Sequence, residues 1–335
     1  MRTLFPLAAL TAAIATFGTG GRVHAAVVCV SNTVQLAIAL SVAQGNGEDD
    51  FIELEVGNYL LNAELDYLAV QDETHDLAIS GGWAAGCSTR ATSGSSVLDG
   101  QNAVRPLYIS ANAGVSVFGL TFQHGNPAQY AGGALNVSAP AGAAVQIDYN
   151  TFVANQAATN AGGAVYVSSP GTILMRNNLF VGNQGTNTLY IVNDGIADLV
   201  NNTIVANLLA NHVGLGAFDP TGSGQYYVSN NLLWGNEGND VYDQSGDVHY
   251  YNNDIGARDG FSPASESNDL SVDPQFSGLL SVRPGPTSAL INAGLDSPYG
   301  GIGFNDLSFG ERLIGKHVDI GAYESGVLFR DGFGP

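Results

Sequence analysis

The chain has 335 residues, of which 45% are hydrophobic, only 12% are charged, and 44 are glycine. Ten basic residues stand against 30 acidic ones, a formal charge of −20, which argues against nucleic acid or an anionic membrane surface as partner. Abundant Gly and Asn with few Lys and Glu disfavour a helical protein and favour many short strands joined by tight turns.

Residues 1–26 read as a secretory signal peptide. Arg2 supplies the positive start, Leu4 to Phe17 an uncharged apolar run, and Val23-His24-Ala25 a small-residue cleavage pattern before Ala26. The run is too short to span a bilayer and no later segment is long enough, so no transmembrane segment is expected in the mature chain, with a membrane anchor as the rival reading. Losing Arg2 and Arg22 leaves eight basic residues against 30 acidic ones, a formal charge of −22, which also repels polyuronates unless a cation bridges them. The two cysteines, Cys29 and Cys87, predict a disulfide in an exported chain, against the alternative of two free buried thiols. Ser31 followed by Asn32 to Gln44 predicts a capped amphipathic helix ending at Gly45, with Val34, Leu36, Ile38 and Leu40 covering an open end of the fold.

From residue 119 onward the sequence repeats. Tyr149-Asn150-Thr151-Phe152, Asn177-Asn178-Leu179-Phe180, Asn201-Asn202-Thr203-Ile204, Asn230-Asn231-Leu232-Leu233 and Asn252-Asn253-Asp254-Ile255 fall into one register, with spacings of 28, 24, 29 and 22 residues. Five residues after each of the first four anchors comes a second Asn, at 155, 183, 207 and 236. Such self-similarity is the signature of a solenoid. The columns specify its core: Phe122, Phe152, Phe180, Ile204, Leu233 and Ile255 share one position. Three and five residues before each anchor lie two more apolar columns, Val117 to Tyr250 and Val115 to Val248, with mostly polar residues between them. Gly132-Gly133-Ala134-Leu135, Gly162-Gly163-Ala164-Val165, Thr188-Leu189-Tyr190-Ile191 and Asp240-Val241-Tyr242 suggest a third strand per coil. The expectation is an all-β chain, a right-handed parallel β-helix with an N-terminal capping helix, forming one domain over 27–325 with a tail at 326–335. Asn suits the turns because it tolerates left-handed backbone and can hydrogen-bond along the stack.

The helix, Ile52 to Tyr59, Leu77 to Trp83 and Val97-Leu98-Asp99-Gly100 resemble the opening of pectate-lyase-like β-helix proteins. The Gly-Gly-Ala and Asn repeats are similar to those of polymorphic outer-membrane adhesins. Asp273-Pro274-Gln275-Phe276, Ile291-Asn292-Ala293-Gly294 and Asp319 to Glu324 resemble the closing segment of bacterial exported β-helix proteins. The resemblance implies fold and export; it does not choose an activity.

The register puts Ser116, Gln146, Leu174, Asp198, Tyr227 and His249 in one outward column and Phe118, Asp148, Arg176, Val200, Ser229 and Tyr251 in another. Tyr227, His249 and Tyr251, with Asp198 and Arg176 nearby, form the candidate ligand-binding face, because aromatic rings stack on sugar C–H faces while polar groups meet hydroxyls. No other outward region in this alignment combines stacking and polar groups as closely. Asp148 and Asp198 fall roughly 12 Å apart, a poor spacing for a retaining glycosidase pair that side chains could narrow for an inverting one, and Arg176 is expected to pair with Asp148. Gly235 to Asp243 resembles a calcium-binding nonapeptide, but as a single copy that also fits the coil register. His75, His124, His212 and His317 lack metal-ligand spacing. No metal and no cofactor is expected, and Arg312, Asp306, Asp319 and Glu324 are read as a structural end-cap. The leading expectation is a secreted or cell-surface protein that binds glycan or mediates adhesion to a polysaccharide or cell-surface partner without turnover. A polysaccharide lyase or glycoside hydrolase on the same fold is the alternative.

Overall fold

The computed structural model describes residues 25–325 apart from 129, 158–161, 210–212, 219–221 and 279–280. Most of the signal-peptide segment, His212 and the tail at 326–335 lie outside the described residues. Within them the chain is a right-handed parallel β-solenoid of about 7 turns. Each full coil contributes one strand to each of three parallel sheets of ten, eight and eight strands. Val115–Phe118, Leu120–Gln123 and Leu135–Ser138 are one such coil.

The columns read from the sequence are the observed ladders. Phe122, Phe152 and Phe180 pair in register in the second sheet, are fully buried, and stack with ring centroids 5.1 and 4.7 Å apart. Val117, Ile147, Met175, Leu199, Val228 and Tyr250 stack likewise in the first sheet.

The paired asparagines divide two tasks. The first of each pair turns the corner between the first and second sheets with a left-handed backbone, φ being 54° at Asn177, 55° at Asn201, 59° at Asn230 and 54° at Asn252. The second points inward and forms a directed chain of amides. Asn150 donates from both its backbone N–H and Nδ2 to Asn178 Oδ1, Asn178 does the same to Asn202, Asn202 to Asn231 and Asn231 to Asn253. The chain ends on Asp269. A parallel chain runs through Asn155, Asn183, Asn207 and Asn236 and ends on Asp240. Buried amides are costly unless paired, and here each neighbour supplies the partner. Asp240 also accepts Ala257 N–H, so this carboxylate of the nonapeptide-like segment is engaged in closing the ladder.

The helix spans Thr33–Ala43. Its N-cap is Asn32, whose side chain accepts the Gln35 N–H, whereas the sequence reading began the cap at Ser31. Leu36, Ala39, Leu40 and Ala43 are buried at helical spacing, while Val34 and Ile38 are exposed. The expected covering set of every second residue followed a strand period, which a helix cannot present on one face. Cys29 and Cys87 form a disulfide that ties the first strand to the loop after Leu77–Trp83.

The closing segment is not an end-cap. Residues 290–325 run back along the corner between the first and second sheets as a strap. The left-handed asparagines hold it: Asn252 donates to Ala293 O, Asn230 to Leu295 O, Asn177 to Ile302 O, and Asn201 to Asp319 O and Gly321 O. Phe309 then packs on Tyr149 and Phe118. Leu290 and Ile320 join Val205 and Leu232 in a second apolar cluster over the outer surface of the second sheet. Arg312 is buried inside the strap and donates mainly to backbone, at 2.7 Å to Asp319 O and 2.8 Å to Gly321 O, with Glu324 at 3.8 Å. The strap explains why Asp148, Val200 and Ser229, expected to face outward, are buried.

Candidate functional site

On the first sheet, the structure places Asp198, Tyr227 and His249 in adjacent coils and Tyr251 two residues beyond His249. The strap adds Tyr299. Its ring stacks on Tyr227 at 4.1 Å and His249 stacks on Tyr227 at 4.9 Å, so both faces of Tyr227 are covered. Ser265 Oγ lies 2.7 Å from His249 Nδ1 and 2.8 Å from the Tyr251 hydroxyl. Tyr299 is 60% exposed and is the open face of this column.

Asp198 lies beneath Gly300, where an added Cβ would stand 2.8 Å from Asp198 Cβ. Its Oδ1 is sealed from solvent without a hydrogen-bond partner, and burial pushes the carboxyl up to about 6. Arg176 is engaged elsewhere. Its Nη2 lies 2.6 Å from Asp148 Oδ2, and Nη1 donates to Gly300 O at 3.2 Å. The five residues expected to form one site therefore separate: Tyr227, His249 and Tyr251 form an aromatic column, Asp198 is a sealed carboxyl beneath the strap, and Arg176 pairs with Asp148 and anchors the strap.

The third sheet carries a second candidate site, outside the columns read from the sequence. Its outward column reads Asp66, Tyr108, Asn136, Tyr166, Tyr190, Gly216 and Tyr242 in successive coils. The signal was present as a Tyr at the centre of Leu107-Tyr108-Ile109, Val165-Tyr166-Val167, Leu189-Tyr190-Ile191 and Val241-Tyr242-Asp243. Tyr166 and Tyr190 stack at 6.0 Å, and Tyr190 leans over Gly216 to donate to Gln244 Oε1 at 2.8 Å.

Between Tyr108 and Tyr166 the coil contributes only Asn136, so the column has a gap one coil wide. The flanking Cα atoms are about 9.6 Å apart by strand spacing. The gap opens into a groove of about 570 Å³ lined also by Ser138, Ser168 and Tyr130. At its rim, buried Arg105 sits over the Tyr108 and Tyr130 rings at 5.2 and 6.0 Å, and its Nε is 3.1 Å from Glu64 Oε2. Burial pushes the Glu64 carboxyl up against the opposing pull of Arg105, and neighbouring Asp66 pushes it further up. The groove thus offers two separated aromatic faces, hydroxyl and amide groups between them, and a carboxyl–guanidinium pair at one edge.

Three histidines stand beside single carboxylates, His75 with Glu73, His124 with Asp99 and His317 with Asp296. No helix among the described residues is long and apolar enough to cross a membrane. No family model matches the chain, and no curated protein matches it significantly in sequence.

Proposed function

We propose that this chain is an exported β-helix that binds polysaccharide without turnover, seating one sugar ring between Tyr108 and Tyr166 above Asn136. The observation that carries this reading is the one-coil gap at Asn136, which sets Tyr108 and Tyr166 on either side of an open groove. A ring inserted midway would lie roughly 4.8 Å from each tyrosine, within the range of productive aromatic stacking. Asn136, Ser138 and Ser168 supply groups for sugar hydroxyls, and the coil repeat gives an extended chain a flat track along the solenoid axis. Export is supported by the leader-like residues 1–26 and by the Cys29–Cys87 disulfide. The resemblance to exported β-helix proteins and adhesins agrees with this assignment.

The Glu64 carboxyl in the groove favours a second reading, a lyase or hydrolase on the same fold, because a carboxyl raised by burial is what general-acid catalysis uses. The test is a polysaccharide panel run by affinity electrophoresis, with an assay for new reducing or unsaturated ends. The binding reading expects retention without new ends. Tyr108→Ala with Tyr166→Ala removes two stacks worth about 1–3 kcal/mol together, a five- to roughly hundred-fold loss of affinity. A loss confined to Tyr227→Ala with Tyr251→Ala moves the ligand to the first sheet. New ends select the enzyme, and no retention of any polysaccharide rejects the glycan assignment.

A further inference from the structure

We propose that the cavity between residues 82–94 and the strap at 305–309 is an oxyanion site with Arg90 as its principal donor. It is distinct from the tyrosine groove. The cavity has a volume of about 330 Å³ and is lined by Arg90, Thr92, Ser93, Asn305 and Ser308 among others, with no carboxylate in its wall. The Arg90 guanidinium lies over Trp83 at 4.3 Å and over Phe118 at 4.8 Å, and donates from Nη1 to Gly81 O.

This arrangement fixes the plane of the guanidinium and covers its faces with carbon, so the N–H edge remains for an acceptor. A guanidinium presents five N–H donors, and a single acceptor is seen for Arg90 among the described residues. No carboxylate stands within ion-pair distance of it there, although acidic residues outnumber basic ones three to one. The acid that acts on it through space is Glu53. A second cation reaches the same wall: Arg283 Nη2 donates to Ser308 Oγ, and its guanidinium lies over Tyr323 at 4.1 Å. Fixed guanidinium edges with hydroxyl and amide donors recognise carboxylate, sulfate and phosphate oxygens.

The ligand is therefore a compact oxyanion, either free or carried as a substituent on a sugar. Calorimetric titration of the full chain with sulfate, phosphate, a free uronic acid and a sulfated monosaccharide separates these sources, with glucose as neutral control and sodium chloride matching ionic strength. Saturable binding of at least one oxyanion is expected, but none of glucose. Ser93→Asp places a competing carboxylate in the cavity and is expected to weaken binding at least tenfold, as is Arg90→Gln. Should Arg90→Gln fail to fold because its aromatic sandwich is lost, Ser93→Asp, on an exposed loop, still decides. Tyr108→Ala with Tyr166→Ala is expected to leave oxyanion binding unchanged, which keeps this site's failure separate from that of the groove. Absence of saturable binding by every anion, or binding that survives Ser93→Asp, overturns the proposal.

Discussion

Replacing Asn202 with Ala breaks the amide ladder at its middle. Asn202 is fully buried; its Oδ1 accepts from Asn178 N–H at 3.1 Å and Asn178 Nδ2 at 2.9 Å, and its Nδ2 donates to Met175 O and Asn231 Oδ1 at 2.9 Å each. Alanine keeps the backbone bond from residue 202 to Asn231 but leaves two Asn178 donors and the Met175 carbonyl without that partner. At about 1–3 kcal/mol for each unsatisfied buried group, and with partial relaxation, the loss is roughly 3–6 kcal/mol. With a urea m-value of about 3 kcal/mol per molar, the midpoint should fall by roughly 1–2 M. Urea denaturation followed by circular dichroism measures this, with the mutation of half-buried Asn239, which lies outside the ladder, to Ala as control. A midpoint within about 0.3 M of wild type would refute the view that the ladder carries the coil stack.

Phe180→Ala empties the centre of the phenylalanine stack and should cost about 3–5 kcal/mol in the same assay; an unchanged midpoint would contradict its buried position. Thiol titration of denatured, unreduced protein should find no free thiol, and the paired change of Cys29 and Cys87 to Ser should cost about 4 kcal/mol in the loop-entropy model. Burial raises Asp254 to about 6 and Glu324 to about 7, from ordinary values of 3.8 and 4.5. The folded state therefore binds more protons between those limits, so stability falls as pH rises from 3.8 to about 7. Glu73 and Asp99 are shifted down and act oppositely, their contribution being lost below the ordinary carboxylate range. Thermal midpoints should be highest at about pH 4, and a midpoint higher at pH 8 than at pH 5 would count against the buried acids. Gly300→Ala should loosen the strap, because φ is +76° and the new Cβ would stand 2.7 Å from Leu174 Cδ1; limited proteolysis should then cut near residue 300 faster than in wild type.

The coils were legible because an inward column must be apolar at one fixed position in every turn, and Phe122, Phe152 and Phe180 obey that. The paired asparagines were legible as turns and stacks. Their separate tasks were not, since one residue type at adjacent positions conceals which side chain points inward and which holds the strap. The path of residues 290–325 is hidden because the corner asparagines hold it by its backbone carbonyls, which carry no sequence signal. Tyr227 looked like a free platform because Tyr299, distant in sequence, comes to cover it. The Tyr108–Asn136–Tyr166 gap went unseen because the alignment was anchored on the Asn corner, and the variable turns before the third strand blur the register there.

The most direct test of the account is a crystal structure of the protein soaked with an oligosaccharide from whichever polysaccharide it retains. The account predicts a pyranose ring between Tyr108 and Tyr166, above Asn136, with its faces toward the two phenol rings. A well-ordered sugar elsewhere on the solenoid, with the gap between those tyrosines left to solvent, would contradict it.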